Sequence, residues 1–264
     1  MTARERLARQ LHALGLEHRD ADEWAKAKAT FDAARDAFEQ APDGDPGELG
    51  MTLHELAAAN VQLGEIEQAL SLYEEALRLK ELVPTHVQRW DDFSKTLHEL
   101  GYVQSRLGLH DEALLNFHAA LAANENIVDA ALRRSADEST LHGISLIHVE
   151  REAWPALVDT INCWLAAFSG AGSDPAQMAR KLYWLTYASI ELEDWKTANR
   201  SALESLRLFE SIPEVERNPD YYAQILDELA YLARHRRYRS DNEKARRAAR
   251  SASRRIKHPP LGGD

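Results

Sequence analysis

The chain has 264 residues with 12 glycines, 9 prolines, a single cysteine and a formal net charge of -11. One cysteine excludes an intramolecular disulfide and a cysteine-rich zinc site, and the acidic balance argues against general nucleic-acid binding. Sparse glycine and proline favour helices, and no stretch is long and apolar enough to cross a membrane, so we expect a helical protein of the cytoplasm.

A pair of apolar residues, three positions apart, recurs along the chain at intervals of 41 to 44 residues. The pairs are Leu11 with Leu14, Leu53 with Leu56, Leu97 with Leu100, Leu141 with Ile144, Leu182 with Leu185, and Leu226 with Leu229. Independent helices have no reason to share such an interval. The spacing therefore predicts a tandem repeat.

A second pattern follows most of these pairs: a small residue, an aromatic four positions later and another small residue three positions after that. The triplets are Ala27, Phe31 and Ala34; Ala69, Tyr73 and Ala76; and Ala113, Phe117 and Ala120. In the fifth and sixth units a small residue replaces the aromatic, at Ala198, Ala202 and Ser205 and at Ala245, Ala249 and Ala252. This spacing puts each triplet on one stripe, which predicts two amphipathic helices per unit.

The turns inside the units are marked less uniformly. Gly64 and Gly108 stand where a first helix should end. An α-helix often ends at a residue with left-handed backbone angles, which glycine adopts most easily. The fourth unit departs most, because aligning Trp154 with the aromatic position puts Leu157 where a small residue belongs. One extra residue near Pro155 would explain this departure.

These residues resemble the tetratricopeptide repeat family. The third unit carries the resemblance at Leu97, Leu100, Gly101, Gly108, Ala113, Phe117 and Ala120, and the first at Leu11, Leu14, Gly15, Ala27, Phe31 and Ala34. The resemblance implies an all-α, right-handed superhelical solenoid of about six antiparallel helix pairs. Its units are expected near 8–45, 50–88, 94–130, 138–170, 179–212 and 221–258, in one domain over 1–258 with a flexible tail at 259–264.

The period exceeds the ~34 residues of common family members. It is similar to the longer units of kinesin light chains and of bacterial peptide-sensing regulators. The resemblance implies a non-catalytic scaffold without cofactors, whose concave groove binds a protein or peptide segment. A peptide-sensing regulatory subunit is an alternative.

Groove residues follow from the expectation that first helices line the concave face. The residue after each leading leucine gives His12, His54, His98, His142 and Tyr183, and positions nearby add Tyr102, Trp184, Tyr187 and Tyr231. One interpretation is that the histidines form a row that binds acidic groups of a partner or responds to pH. The other is that an exposed helix face tolerates histidine and that duplication of the repeat copied it. The aromatics would anchor a peptide or pack between units.

A basic segment ends the repeat region. Residues 234–257 hold eleven lysines and arginines against two acids, a net +9 that leaves -20 elsewhere. The predicted basic surface consists of five of its nine arginines, on a helix expected from Ser240 to about Lys257: Arg246, Arg247, Arg250, Arg254 and Arg255. This helix would cap the solenoid; it would alternatively bind nucleic acid, anionic lipid or an acidic surface, including that of a second copy in a homo-oligomer.

The sequence contains no recognisable catalytic or metal-binding motif. Phosphate-binding glycine loops, zinc-protease motifs and nucleophile elbows are missing from the sequence. Equivalent histidines on neighbouring helices lie ~8 to 10 Å apart, too far for ligands that converge to ~2 Å from a zinc ion. Cys163 is expected to be a buried structural thiol.

Overall fold

The structure is a computed structural model that describes residues 2–41, 45–168, 174–213 and 219–234. Within these ranges it contains eleven α-helices, one short 3-10 helix and no strand, which confirms the all-α prediction. The chain divides into two compact units, each longer than one sequence repeat. We call Met1–Ile147 the first unit and His148–Asp264 the second unit.

The helices alternate between a first and a second member of each repeat. Their bounds are α1 Ala3–Asp20, α2 Trp24–Glu39, α3 Pro46–Gln62, α4 Ile66–Glu81, α5 Trp90–Arg106, α6 His110–Asn124, α7 Ala130–Glu150, α8 Trp154–Phe168, α9 Pro175–Glu191, α10 Trp195–Ser211 and α11 Pro219–Arg234. The first helices begin at residues 3, 46, 90, 130, 175 and 219, so the repeat length is 40 to 45 residues.

Short turns connect the two helices of a repeat and fold them back on each other. In the first unit α1 packs on α2, α3 on α4 and α5 on α6, and α2 and α4 also contact the following repeat. In the second unit α9 packs on α8 and α10, and α10 packs on α11. This is the antiparallel pairing that the repeat predicts.

One left-handed residue stands two positions before each of the five second helices that the structure describes. Gly64 and Gly108 occupy this position with φ of 80° and 77°, which confirms the predicted turns. Asp22, Glu152 and Glu193 occupy it in the first, fourth and fifth repeats with φ between 51° and 57°. A positive φ strains a residue with a Cβ, so these three turns form despite a local cost.

Aspartate caps fix the starts of two first helices, α3 and α9. Asp45 precedes Pro46, and its carboxylate accepts a hydrogen bond from the Gly47 backbone N–H at 2.8 Å. Asp174 precedes Pro175 in the same arrangement. Proline suits the first turn because its missing N–H would have no helical partner there, and the aspartate satisfies one of the remaining donors.

The core of each repeat lies along the predicted stripe of its second helix. The small-aromatic-small triplets of α2, α4 and α6 are all buried. The aromatic rings pack against glycines of the first helices, where a Cβ would be too close. A Cβ on Gly15 would lie 2.5 Å from the Phe31 ring, and one on Gly101 would lie 3.1 Å from the Phe117 ring. In the first unit, the two helices of a repeat therefore approach closely around one large aromatic ring.

The fourth repeat keeps this register with different residues. In α8 the buried stripe is Leu157, Ile161 and Trp164, at the same distances from the helix start as Ala27, Phe31 and Ala34 in α2. The extra residue expected near Pro155 is therefore not needed, and Trp154 begins the helix instead of occupying the aromatic position. Larger side chains replace the small ones along one stripe.

The environment of Cys163 differs from the one predicted from the sequence. Cys163 is exposed on α8, so the prediction of a buried thiol is wrong. It stands between the buried positions Ile161 and Trp164 and therefore points away from the stripe. Among the residues described, no helix is long and apolar enough to span a membrane.

Candidate functional site

A groove in the first unit is formed by the first helices of four successive repeats. Its cavity of about 560 Å³ is contacted by α1, α3, α5 and α7. The lining residues include His12, Leu16, Arg19, Met51, Glu55, Asp91, Asp92, Lys95, His98, Glu99, Ile127, Leu132, Ser135, Ala136, Ser139 and Thr140. Second helices do not contribute to it among the described residues. We call this cavity the groove.

Charged side chains cross the groove from helix to helix. Arg19 of α1 donates to Glu55 of α3 at 2.8 Å, and the Lys95 ammonium of α5 lies 3.7 Å from the other oxygen of Glu55. Leu16, Met51 and other apolar side chains stand beside these ions. The groove therefore offers both apolar and charged contacts.

Three of the predicted histidines connect neighbouring first helices. The Nδ1 atoms of His12, His54 and His98 lie 3.0, 3.0 and 3.3 Å from the Oγ1 atoms of Thr52, Thr96 and Thr140. Each threonine lies one repeat further along, 40 or 42 residues away. We call His12, His54 and His98 the histidine row.

Each imidazole also packs on the aromatic side chain of its own repeat. Ring centroids are 5.7 Å apart for His12 and Phe31, 5.3 Å for His54 and Tyr73, and 5.4 Å for His98 and Phe117. His12 and His98 keep one edge in the groove, whereas His54 is only 1% exposed and does not line it. The row thus fastens one repeat to the next.

The hydrogen bonds assign the protonation of the histidine row. Each threonine hydroxyl donates to the backbone carbonyl four residues earlier, so its oxygen accepts from the imidazole Nδ1–H. Burial lowers the pKa of all three imidazoles, and nearby cations lower the pKa of His54 further. The rings are accordingly neutral, with the proton on Nδ1.

Lys80 forms a buried polar cluster behind this row. Its ammonium lies 2.7 Å from the Asp92 carboxylate and donates to Thr96 Oγ1 at 2.7 Å. Burial lowers the pKa of Lys80, and the Asp92 charge opposes that change. Thr96 Oγ1 therefore makes three hydrogen bonds, because it also accepts from His54 and donates to the Asp92 carbonyl.

The second unit holds a connected set of aromatic side chains. Tyr187 packs edge-on against Trp154 and Trp184, with centroids 5.4 and 6.1 Å apart, and Tyr183 lies 5.4 Å from Trp184. We call Trp154, Tyr183, Trp184 and Tyr187 the aromatic set. All four are partly buried, and Trp184 also packs against core leucines of α8 and α9.

Acidic residues surround part of this set. Partial burial, followed by the charges of Glu191, Glu228 and Glu152, raises the pKa of Tyr187. The hydroxyl is therefore neutral at physiological pH. A positively charged group approaching the aromatic set would meet both ring faces and carboxylates.

Comparisons with known proteins agree with this geometry. The sequence profile of the tetratricopeptide repeat matches residues 6–81, which cover α1 to α4. The structure of BtubC (BKLC) from P. vanneervenii is similar over 100% of this chain and 95% of its own, with a TM-score of 0.63 at 19% identity. Residues 6–81 thus match the tetratricopeptide repeat family, and the chain has the fold of tetratricopeptide-like repeats.

Two further solved structures are similar to this chain in fold. Tetratricopeptide-like repeats of a putative kinesin light chain from Podosopora anserina cover 79% of this chain and 96% of their own, with a TM-score of 0.60 at 14% identity. The apo form of RapI covers 96% of this chain and 76% of its own, with a TM-score of 0.65 at 11% identity. No curated protein sequence matches the chain.

The remaining predicted groove residues lie on three first helices, away from the cavity. Tyr102 on α5 is 42% exposed and lies 6.0 Å below the Arg106 guanidinium, and His142 on α7 is exposed. Tyr231 on α11 is 48% exposed. None of these three lines the groove.

The predicted basic surface belongs to a part of the chain that the structure does not describe. Arg246, Arg247, Arg250, Arg254 and Arg255 all lie outside the described residues. Across the described part of the chain, no three histidine, cysteine, aspartate or glutamate side chains are arranged to hold a metal ion.

Two parts of the site escaped prediction from the sequence. The threonine partners of the histidine row carry a signal, because Thr-Leu-His recurs at 52–54, 96–98 and 140–142. Lys80 carries a weaker signal, since it stands seven positions after Tyr73 and four after Ala76 on the buried stripe of α4. A lysine at such a position suggests a buried partner.

Proposed function

We propose that this chain is a non-catalytic scaffold that binds a segment of another protein in the groove of its first unit. One observation supports this most strongly: first helices of four successive repeats border a single cavity of about 560 Å³. Proteins with this fold generally act as repeat scaffolds, which supports the same role. The single cysteine favours the reducing cytoplasm as its location.

The dimensions of the groove favour an extended segment. Four neighbouring helices spaced ~8 to 10 Å apart span roughly 25 to 30 Å, which corresponds to about eight residues of extended chain. The histidine row and its threonines hold these helices in register before any partner arrives. The receptor therefore loses little conformational entropy on binding, and a short segment can bind with useful affinity.

The chemistry of the groove lining indicates what holds the segment. Leu16, Met51, Ile127 and Leu132 provide apolar contact, and Glu55, Lys95 and Glu99 provide charges that fix its direction. His12 and His98 contribute a neutral ring edge, because their pKa values are lowered by burial. They therefore act as neutral groups toward a partner and do not attract acids.

The aromatic set of the second unit is a further contact surface under this proposal. Tyr183 and Tyr187 present rings and hydroxyls that suit a peptide anchor, and Tyr231 is exposed on the next first helix. Tyr183→Ala and Tyr187→Ala should each weaken binding of a partner that uses this surface. A partner whose affinity neither change alters would remove the aromatic set from the site.

A random-peptide library displayed on phage tests the groove. Selection against the full chain should enrich peptides that bind the wild-type protein but lose at least about tenfold in affinity for Ser139→Trp, a loss of roughly 1.4 kcal/mol. Ser139 is exposed on α7 and lines the groove, so a tryptophan there fills it. Ser71→Trp is the matched control, since Ser71 is exposed on the second helix α4.

The two variants separate the possible outcomes. Peptides that lose affinity for Ser139→Trp and keep it for Ser71→Trp support the groove. Enriched peptides that bind both variants like wild type would show that another surface is used. Failure to enrich any peptide over a blank surface would contradict the proposal.

The basic segment supports a second candidate function, association with nucleic acid. Its net charge of +9 within residues 234–257 is the specific observation. Affinity for DNA or RNA should then fall steeply with added salt and disappear when residues 244–258 are deleted. Equal affinity of the deleted and full chains would reject this role.

A further inference from the structure

A smaller pocket lies beside the groove in the first unit. Its volume is about 370 Å³, and four of its lining residues, Arg19, Glu55, Lys95 and Glu99, also line the groove. The other lining residues are Trp24, His54, Ala58, Val61, Gln62 and Tyr73. We call this cavity the side pocket. Because the two cavities share these four residues, a side chain of a segment in the groove can reach into the side pocket.

Two buried polar atoms in the lining of the side pocket have no hydrogen-bond partner within the described residues. They are Nε2 of His54 and the hydroxyl of Tyr73, on side chains that are 1% and 0% exposed. Unpartnered buried polar atoms are uncommon in folded proteins, because each carries a desolvation cost. Their presence in the lining of a cavity indicates that a polar group belongs there.

The chemical type of that group follows from the protonation of His54. The proton is on Nδ1, which donates to Thr96, so Nε2 presents only a lone pair. Tyr73 accepts or donates, and burial raises the pKa of its hydroxyl far above the ordinary value, so it stays neutral. A hydrogen-bond donor satisfies Nε2, whereas a second acceptor does not.

Glu99 adds a negative charge at the same place. Its carboxylate makes no hydrogen bond or ion pair among the described residues, and burial raises its pKa, an effect that Lys95 opposes and Glu55 reinforces. Arg19 and Lys95 do not neutralise it directly, because both are directed at Glu55, at 2.8 and 3.7 Å. Glu99 is therefore a partly desolvated acceptor without a paired cation.

We infer that the side pocket binds the basic side chain, arginine or lysine, of the segment that lies in the groove. Its ammonium or guanidinium donors would meet the Glu99 carboxylate, His54 Nε2 and the Tyr73 hydroxyl, and its stem would lie along Ala58 and Val61. Outside residues 234–257 the chain carries a net charge of -20, which favours a basic partner. This specificity rests on the proposed function.

A double-mutant cycle tests the inference with peptides enriched from the phage library. The peptides should share a basic residue, and replacing an arginine there by citrulline, a neutral group of the same shape, should weaken binding about tenfold or more. Glu99→Gln should weaken binding of the arginine peptide to the same degree. In the Glu99→Gln chain, replacing arginine by citrulline should lower the affinity little further, because the charge pair is already lost.

Two other variants guard against indirect effects. Glu112→Gln makes the same change at an exposed position of α6 and should leave affinity as in wild type. Tyr73→Phe removes only the unpartnered hydroxyl, so it should weaken binding of the arginine peptide about threefold to tenfold without lowering the unfolding temperature. A loss of affinity that came from misfolding would also lower that temperature.

The outcomes separate the inference from the function it builds on. If no enriched peptide is sensitive to Ser139→Trp, the proposed groove function fails. If peptides depend on the groove but share no basic residue, the inference alone is overturned. The same holds if citrulline costs as much affinity in Glu99→Gln as in the wild-type chain.

Discussion

The replacement Thr96→Val probes the polar cluster that joins the second and third repeats. Valine keeps the shape of threonine and removes Oγ1, which accepts from Lys80 at 2.7 Å and from His54 at 3.0 Å. A lost hydrogen bond to a charged group costs about 1.5 to 3 kcal/mol and one to a neutral group about 0.5 to 1.5. Lys80 keeps its contact with Asp92, so we expect a total loss of about 2 to 4 kcal/mol.

The neighbouring repeats provide matched controls for this change. Thr52 has the same histidine contact, with His12 at 3.0 Å, and no lysine partner, so Thr52→Val should cost only about 0.5 to 1.5 kcal/mol. Thr140→Val should cost less still, because the contact with His98 is longer, at 3.3 Å.

Urea unfolding followed by circular dichroism measures all three variants. The midpoint should shift in the order Thr96, Thr52, Thr140, with an unchanged dependence of the unfolding free energy on urea concentration. Losses for Thr96→Val and Thr52→Val that agree within about 0.5 kcal/mol would refute the reasoning, because the lysine contact would then contribute nothing.

Other consequences concern pH, packing and capping. The histidine row has lowered pKa values, so below about pH 6.5 the unfolded chain binds protons that the folded chain does not. The free energy of unfolding should therefore fall as pH drops from 7 towards 5, and less steeply for His98→Asn in parallel urea titrations. Gly143→Ala puts a Cβ 2.5 Å from the Phe117 ring, so its thermal midpoint should fall with a net loss of about 1 kcal/mol, overpacking exceeding the gain in helix propensity. Asp194→Ala removes the acceptor of the Thr197 N–H at 3.1 Å and should cost about 1 kcal/mol in the same melts. Unchanged slopes or midpoints would contradict each expectation.

The repeat and its register could be predicted because packing limits side-chain size at helix contacts. Ala27, Phe31 and Ala34 show this limit as a small-aromatic-small pattern. The same spacing predicted the second helices of four repeats. The fourth repeat escaped the pattern because its stripe uses large residues, from Leu157 to Trp164, for which small-residue spacing gives no guide.

The site was less predictable, since its polar contacts join residues of different repeats. The sequence placed the histidines on the first helices correctly, yet the structure shows each one bonded to a threonine of the next repeat. That contact depends on the register between two helices. Lys80 shows the same limit: lysine is rarely buried, so only the position of Asp92 explains it.

Amide hydrogen exchange of the full chain, with and without a peptide enriched on phage, tests the groove most directly. Binding should slow exchange along α1, α3, α5 and α7, whose side chains line the groove. Exchange in α2, α4 and α6 should change less, because these helices lie behind it. Protection confined to the second helices would show that the partner binds the opposite face and would contradict the proposed function.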